Sequence, residues 1–418
     1  MVTRKELMDK EMEILERRNE EARRELREWI QSRADEEPAV DGRGRRLTHR
    51  ERIPMKIRSL FGAFSVKVVS GYSEADKQTL TPFRERLFGG ARGVLTPLLE
   101  RNIVHHGLEC GFFEKAARLC ADWGVAVSDD KVMDTVRAVG GRCVAGALPG
   151  LCADAAGPDD ALVIMGDGWN ARHRGPRWGE EGAPREERIE WKDIKSGVMF
   201  KMSHAVAAGA RRKALLTRHV VAVPADAGPE AFGEAMEREA LRMGLARASR
   251  AYFFSDGGAY LWNMFEYRFE AVAVGTLDYY HAMEHLGEAA AELFADKAER
   301  EQWLGAMRAE IKEKGGAGLA GTLSELLAVA SVKDEGAEVV EREIRYFEKH
   351  AGHMDYGKRR EEGVPIGSGS VESLCGQFQD RLKRRGQFWT REGFAPFLRA
   401  YVWYMNGELD HAIDRPAA

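Results

Sequence analysis

The run ALVIM, Ala161 to Met165, leads directly into Gly166 and Asp167. Five apolar residues without polar alternation describe a strand covered on both faces. Such a strand requires a layer packed on each side of its sheet. The following segments supply the material. RIEWKDIKSGVMFKMSHAV and ALLTRHVVAVPA read as two more strands, and GPEAFGEAMEREALRMGL as a helix. RAYFFSDGGAYLWNMF reads as a strand with Asp256 at its end, then Gly-Gly, then a helix. FEAVAVGTLDYYHAMEHL repeats the theme with Asp278. The order β-β-β-α-β-α-β-α predicts an α/β sheet with an antiparallel start.

Residues 282 to about 360 are helical in pattern and rich in Ala, Glu and Lys. PIGSGSVESLCGQFQDRLKRRGQFW then predicts a small-residue loop opening a helix, with Ser370 as N-cap. Val371, Leu374, Cys375, Phe378 and Leu382 form its apolar face. Glu372, Gly376, Gln379 and Lys383 fall on a second stripe. Acid early and base late suit the helix dipole, so a well-capped amphipathic helix explains this segment taken alone. TREGFAPFLRAYVWYMNG reads as a final helix.

Towards the N-terminus, Met8, Met12, Leu15, Ala22, Leu26 and Ile30 recur at helical intervals, predicting a long amphipathic, coiled-coil-like helix. EEPAVDGRGRR breaks it, and LFGAFSVKVVSGYS reads as a short hairpin. From Leu95 to about Gly140 the pattern gives two helices around Gly124, the second capped by Ser128. This is a helix-turn-helix-like unit, either DNA-binding or an ordinary helical pair. The expected domains are a charged helix (1–45), a hairpin plus helical DNA-binding region (46–155), a core (156–281 with 362–410) and a helical insertion (282–361).

The 418-residue chain carries a net charge of -4, which argues against wholesale coating of nucleic acid. A local basic tract remains: Arg381, Lys383, Arg384 and Arg385 are candidate phosphate contacts, or a solvated helix end. No apolar run is long enough to span a bilayer, and the N-terminus is too charged for a signal peptide, so a cytoplasmic protein is expected. The five cysteines show no C-x-x-C spacing, so reduced, buried thiols are expected. Trp262, Trp389 and Trp403 suit either base stacking or the core. The Gly367–Gly369 loop is either a phosphate-approaching turn or a simple one.

Asp167, Asp256 and Glu372 stand out as acids at strand ends and a helix start, where ligands bind at the rim of a sheet. Strand-end Asp-Gly pairs also make ordinary turns. Three converging carboxylates repel unless cations neutralise them. Mg²⁺, with its preference for oxygen ligands, or Mn²⁺ suits such a set. Two ions would activate a water or a 3′-hydroxyl and stabilise the leaving oxygen of a phosphodiester.

The segments FGAFSVKV, GDGWN, WKDIKSGVMF, SDGGAYLWN, LDYYHAMEHL and GSGSVESLCGQFQDRLKRRGQFWT carry a resemblance to bacterial insertion-sequence transposases of the DDE type. The chain resembles the ISKra-type family, related to the Mutator group, from about Phe61 to Asn406. The resemblance implies a ribonuclease-H-like mixed sheet interrupted by an all-helical insertion, after a mainly helical N-terminal region. It makes Asp167, Asp256 and Glu372 the metal-binding acids, with Asp278 as the alternative second ligand. Asp278 and His281 match an element that shapes the site. It implies two Mg²⁺ or Mn²⁺ ions, DNA as substrate, strand cleavage and transfer, a homodimer or larger assembly pairing two DNA ends, and a place at the nucleoid when DNA is bound. The Cys-rich N-terminal motifs common in relatives are absent, which puts metal-stabilised DNA recognition there in doubt.

Two rival readings stand beside this. His281, Glu284 and His285 spell H-x-x-E-H, an inverted zinc-protease signature that would still need a third ligand. The helix-turn-helix-like unit and the basic tract would also suit a non-catalytic or domesticated DNA-binding protein.

Overall fold

A computed structural model describes residues 2–89, 94–122, 124–144, 146–208, 213–316, 318–330 and 333–415. The chain divides into two compact units: Met1–Val144 with Arg391–Ala418, and Ala145–Thr390.

The first unit opens with helix α1 (Arg4–Glu36), which starts at a capping box between Thr3 and Glu6. Strands β1 (Thr48–Ser59) and β2 (Gly62–Ser73) form an antiparallel hairpin. β3 (Gln78–Leu80) extends it; after helix α2 (Pro82–Phe88), β4 (Val94–Leu95) pairs with Ile57 and Arg58 of β1. Ile30 and Ala34 of α1 pack with Met55, Ile57, Phe64, Val66 and Val68. The short hairpin expected around residues 60–73 is therefore one arm of a longer one. β1 escaped notice because its first residues are charged and exposed and it contains Pro54. Pro54 is tolerated because β4 reaches only Ile57 and Arg58, so its N-terminal stretch has an open edge.

Helices α3 (Pro97–Glu109), α4 (Phe113–Asp122) and α5 (Asp129–Arg142) follow. Ser128 accepts from the Lys131 amide at 3.2 Å and Gly124 sits at φ +83°, as the sequence predicts.

The second unit contains β5 (Ala161–Arg174), α6 (Arg185–Arg188), β6 (Ile189–Lys201), the hairpin β7 (Ala205–Ala207) and β8 (Lys213–Leu215), and β9 (His219–Val223). Next come α7 (Gly228–Arg242), β10 (Arg250–Ser255), α8 (Ala259–Met264) and β11 (Val274–Leu277). The sheet order is β11-β10-β5-β6-β9; β6 is antiparallel to β5 and β9, while β10 and β11 run parallel to β5. This is the mixed α/β sheet with an antiparallel start. Both faces of β5 are covered, as its apolar run demands. Phe232 and Leu261, from α7 and α8, approach Gly166 on one side. On the other, Trp169 stacks on Phe378 with ring centroids 5.6 Å apart.

Helices α9 (Tyr279–Leu293), α10 (Lys297–Lys314), α11 (Leu319–Val329), α12 (Asp334–His350) and α13 (Tyr356–Glu361) fill the segment expected to be helical. Their buried residues share one core with the sheet, from Leu162 and Phe253 to Leu323 and Phe347. α14 (Gly369–Leu382) closes the unit.

The chain then returns to the first unit with α15 (Arg391–Met405) and α16 (Leu409–Ile413). The expected core segment ran to residue 410, whereas the division falls at Arg391. None of the described helices is long and apolar enough to cross a membrane. All five cysteines are free thiols, four of them buried.

α15 docks on α5 through a backbone-to-backbone approach. A Cβ on Gly140 would stand 2.0 Å from the Pro396 carbonyl oxygen, and the Gly140 carbonyl accepts from Arg399 Nε at 3.0 Å. Neither backbone can yield without separating the helices. Gly140→Ala is expected to destabilise the first unit by roughly 1–3 kcal/mol, the usual cost of overpacking. Chemical denaturation of the variant and the parent measures this directly.

Candidate active site

Asp167 lies inside β5, not at its end. The Gly-Asp-Gly-Trp-Asn segment suggests a turn, yet pairing with β6 continues unbroken to Arg174. What stops is the other neighbour: β10 pairs with β5 only as far as Phe254 opposite Met165. Asp256 lies two residues beyond Phe254, and Asp167 two beyond Met165. Asp256 follows directly on the end of β10, so by register it comes level with Asp167 of β5, the parallel strand alongside, about 4.8 Å away at the usual spacing.

The glycines around Asp167 allow this closeness. A Cβ on Gly166 would meet Leu261 at 2.7 Å, and one on Gly168 would meet Asp193 at 2.9 Å and the Tyr260 hydroxyl at 3.3 Å. Leu261 and Tyr260 belong to α8, which follows the Asp256 loop. Asp256 Oδ1 accepts from the Gly258 amide at 2.9 Å. Gly257 sits at φ +94°, where a Cβ would lie 2.6 Å from the Tyr346 hydroxyl. That hydroxyl donates to the Asp256 carbonyl at 3.4 Å, so α12 of the helical segment braces the loop.

Glu372 stands exposed in the first turn of α14. Contacts map the course of that helix along β5. Cys375 donates its thiol hydrogen to Asp167, Phe378 stacks on Trp169, and the carbonyl after Leu382 meets Arg172 at 2.8 Å. The N-cap position is held by Ser368, not the expected Ser370. Its side chain does not cap; Ser368 Oγ donates to Glu372 Oε1 at 2.8 Å.

Asp278 is fully buried. Its Oδ1 accepts from the His281 amide at 2.8 Å as the N-cap of α9, and its Oδ2 accepts from the Ser368 amide. An acid with both oxygens on backbone N–H groups is committed to structure. It holds Ser368, which holds Glu372. The Gly367–Gly369 loop is consumed in the same way, since the Ser368 amide is already bonded.

Burial pushes the Asp167 carboxyl above the usual aspartate range, and the negative charges of Asp256 and Glu372 push it the same way. The Gly168 amide at 2.6 Å and the Cys375 thiol oppose the rise. Asp167 is thus the central member of the trio. The three do not form one tight knot, since their carboxylate oxygens are not all within 4.8 Å of one another. Burial, followed by Asp167 and Glu372, pushes the Cys375 thiol up as well. Cys375 looked like an ordinary member of the apolar face, and only its position one turn after Glu372 hinted at more. Tyr260 and Tyr346 left no signal.

Residues 249–415 match the model of an uncharacterised protein family, UPF0236. No curated protein matches the chain. The matched region takes in Asp256, Asp278, His281 and Glu372, and begins after Asp167.

Other expected residues fall differently. Arg381 is only 4% exposed and cannot meet a phosphate backbone. It sits on the inward side of α14 with Val371, Leu374 and Phe378. Arg384 and Arg385 are exposed and Lys383 is half-buried. Trp262, Trp389 and Trp403 are buried and serve packing, not base stacking. His281 pairs with Glu284 at 3.2 Å and His285 with buried Glu343 at 2.6 Å. Among the described residues no third ligand joins the two histidines, so H-x-x-E-H does not close into a zinc site.

The raised carboxyl has a consequence for stability. Asp167 binds its proton more tightly in the folded state than in the unfolded one. Stability therefore falls as pH rises from the ordinary aspartate range through the raised folded value, and the deficit is complete above that value. Asp167→Asn in chelator at pH 7 is expected to raise the melting temperature, by roughly 2–4 °C per kcal/mol recovered. The same substitution should abolish any stabilisation of the protein by added Mg²⁺ or Mn²⁺. Calorimetry with and without the ions reads both effects.

Proposed function

We propose that the chain is a DNA transposase, cutting strands at element ends and joining them to target DNA by metal-dependent phosphodiester chemistry. The observation that carries this is the convergence of Asp167, Asp256 and Glu372 from three separate segments, with Asp167 raised by burial and by the other two. The strand order supports a ribonuclease-H-like core: numbered within the sheet it runs 5-4-1-2-3, with the second strand antiparallel to the first.

The donor set fits Mg²⁺ or Mn²⁺. It is all carboxylate oxygen, and like charges are held together by packing that only a cation would relieve. Asp167, Asp256 and Glu372 would hold the ions through their carboxylate oxygens. Bound ions would activate a water or 3′-hydroxyl and neutralise the leaving oxygen.

The protein's own part is positioning. Gly258 fixes the Asp256 carboxylate, Ser368 fixes Glu372, and Asp278 fixes Ser368. The two backbone amides on Asp278 favour Asp256 as the second metal ligand in this reading. The exposed residues of α5 include Asp129, Asp130 and Asp134. Negative charge there opposes phosphate, so α5 is a poor groove-reading helix. Pairing of two element ends would call for two copies of the chain.

The test is nicking of DNA carrying the element's own ends. Asp167→Asn, Asp256→Asn and Glu372→Gln are each expected to lower the metal-dependent rate by at least about 100-fold, on the scale of losing one transition-state contact. Ser368→Ala should cost about 10- to 100-fold, as for a partner that orients a ligand. Glu372→Gln protein that cuts and joins at the parental rate would overturn the assignment. Wild-type protein that binds the ends without cutting them would favour the non-catalytic reading.

A further inference from the structure

Beyond Met165, where β10 leaves, the open edge of β5 is bordered by the segment that follows α14. His173 bridges Trp389 in parallel, with the Trp389 amide 3.0 Å from the Arg172 carbonyl and the Arg174 amide 2.8 Å from the Trp389 carbonyl. Arg172 Nη2 donates to the Lys383 carbonyl at 2.8 Å and also to that of Arg384. Around this edge rings and cations lie close together. The Lys383 ammonium lies 5.1 Å from the Trp191 ring, and Trp191 is the cross-strand partner of Arg172. The Arg172 guanidinium lies 5.2 Å from the Phe388 ring, Phe388 4.7 Å from Trp178, and Arg174 5.4 Å from Trp178.

Two features separate this strip from ordinary packing. Trp191 and Trp178 are 52% and 40% exposed, which is unusual for the largest side chain. Among the described residues, Arg172, Arg174, Lys383 and Arg384 make no ion pair with a carboxylate; Arg172, Lys383 and Arg384 donate to carbonyl and amide oxygens. Elsewhere in this acidic chain, cations such as Arg177 are neutralised by neighbouring glutamates. Uncompensated positive charge beside exposed rings is the chemistry that holds unpaired nucleic acid: cations track the backbone and rings stack on bases regardless of sequence.

We infer that this edge binds a single DNA strand, with bases on Trp191, Trp178 and Phe388 and phosphates on the cations. The inference rests on the proposed chemistry only for the choice of DNA. Arg172 lies five positions along β5 from Asp167, about 17 Å at the strand rise. An unpaired strand with its scissile phosphate at the carboxylates would reach the strip within a few nucleotides. The strip therefore grips the unpaired stretch next to a cut.

The test uses full-length Asp167→Asn protein in chelator, so that carboxylate chemistry plays no part, and fluorescence anisotropy of an oligo-dT of roughly 20 nucleotides and of a duplex of equal length. Tighter binding of the single strand is expected. Trp191→Ala and Trp178→Ala should each weaken it by roughly 5- to 100-fold, while Trp191→Phe retains most of the affinity. Arg174→Ala should lower the slope of log affinity against log salt by about 0.7. Unchanged melting temperatures certify that the variants fold. Equal affinity for both DNAs, or tryptophan variants that bind as the parent does, would overturn the inference. If strand preference holds while Glu372→Gln still cuts, the proposed chemistry fails and the strip stands.

Discussion

Repulsion among three carboxylates is the constraint around which the second unit is arranged. Left to themselves the acids would separate or take up protons, and the Asp167 carboxyl is raised, first by burial and then by the charges of Asp256 and Glu372. They stay together because each rides on an element whose place is fixed by apolar packing. β5 is buried on both faces, β10 is locked beside it, and α14 lies along it through Phe378 and Trp169. Gly166 and Gly168 matter for the same reason: without side chains there, α8 closes on the strand and brings the Asp256 loop with it. Strain of this kind is concentrated at sites of function, where stability is given up for preorganised charge.

Much of this architecture was legible because the apolar runs are strong. ALVIM announced two-sided burial, and the succession of strands and helices through the second unit followed from periodicity. The helical stretch after His281 was equally plain. What failed were boundaries set by pairing and not by local composition. Gly and Asp in GDGWN carry turn preferences, but the β6 ladder overrides them through Arg174. β1 was hidden by charge and Pro54 because eight of its twelve residues are exposed. Arginine is usually a surface residue, but the helical face that Arg381 shares with Leu374 and Phe378 points inward.

The acids of the site were visible one at a time; their arrangement was not. Nothing local distinguishes Asp278, committed to two backbone amides, from Asp256, which keeps access to the site. Both follow a strand and precede a helix. Only the amide of Ser368, ninety residues further along the chain, separates them. Cys375 and Tyr346 are similar cases, since their importance lies in whom they meet across the fold.

The separation between Asp278 and Ser368 explains how a long helical insertion coexists with a site that tolerates little displacement. The chain leaves the sheet at Asp278 and returns at Ser368, and those two residues are bonded to each other. Beside them, the Tyr279 amide donates to the Ile366 carbonyl at 3.0 Å. Entry and exit are thus clamped at one point. The entropy of closing so long a loop grows only logarithmically with its length, so lengthening the insertion costs little once the clamp exists. The clamp also transmits order. Asp278 fixes Ser368, Ser368 fixes Glu372, and from the other side Tyr346 fixes the Asp256 carbonyl. The helical segment is thereby tied to the loops that carry two of the carboxylates.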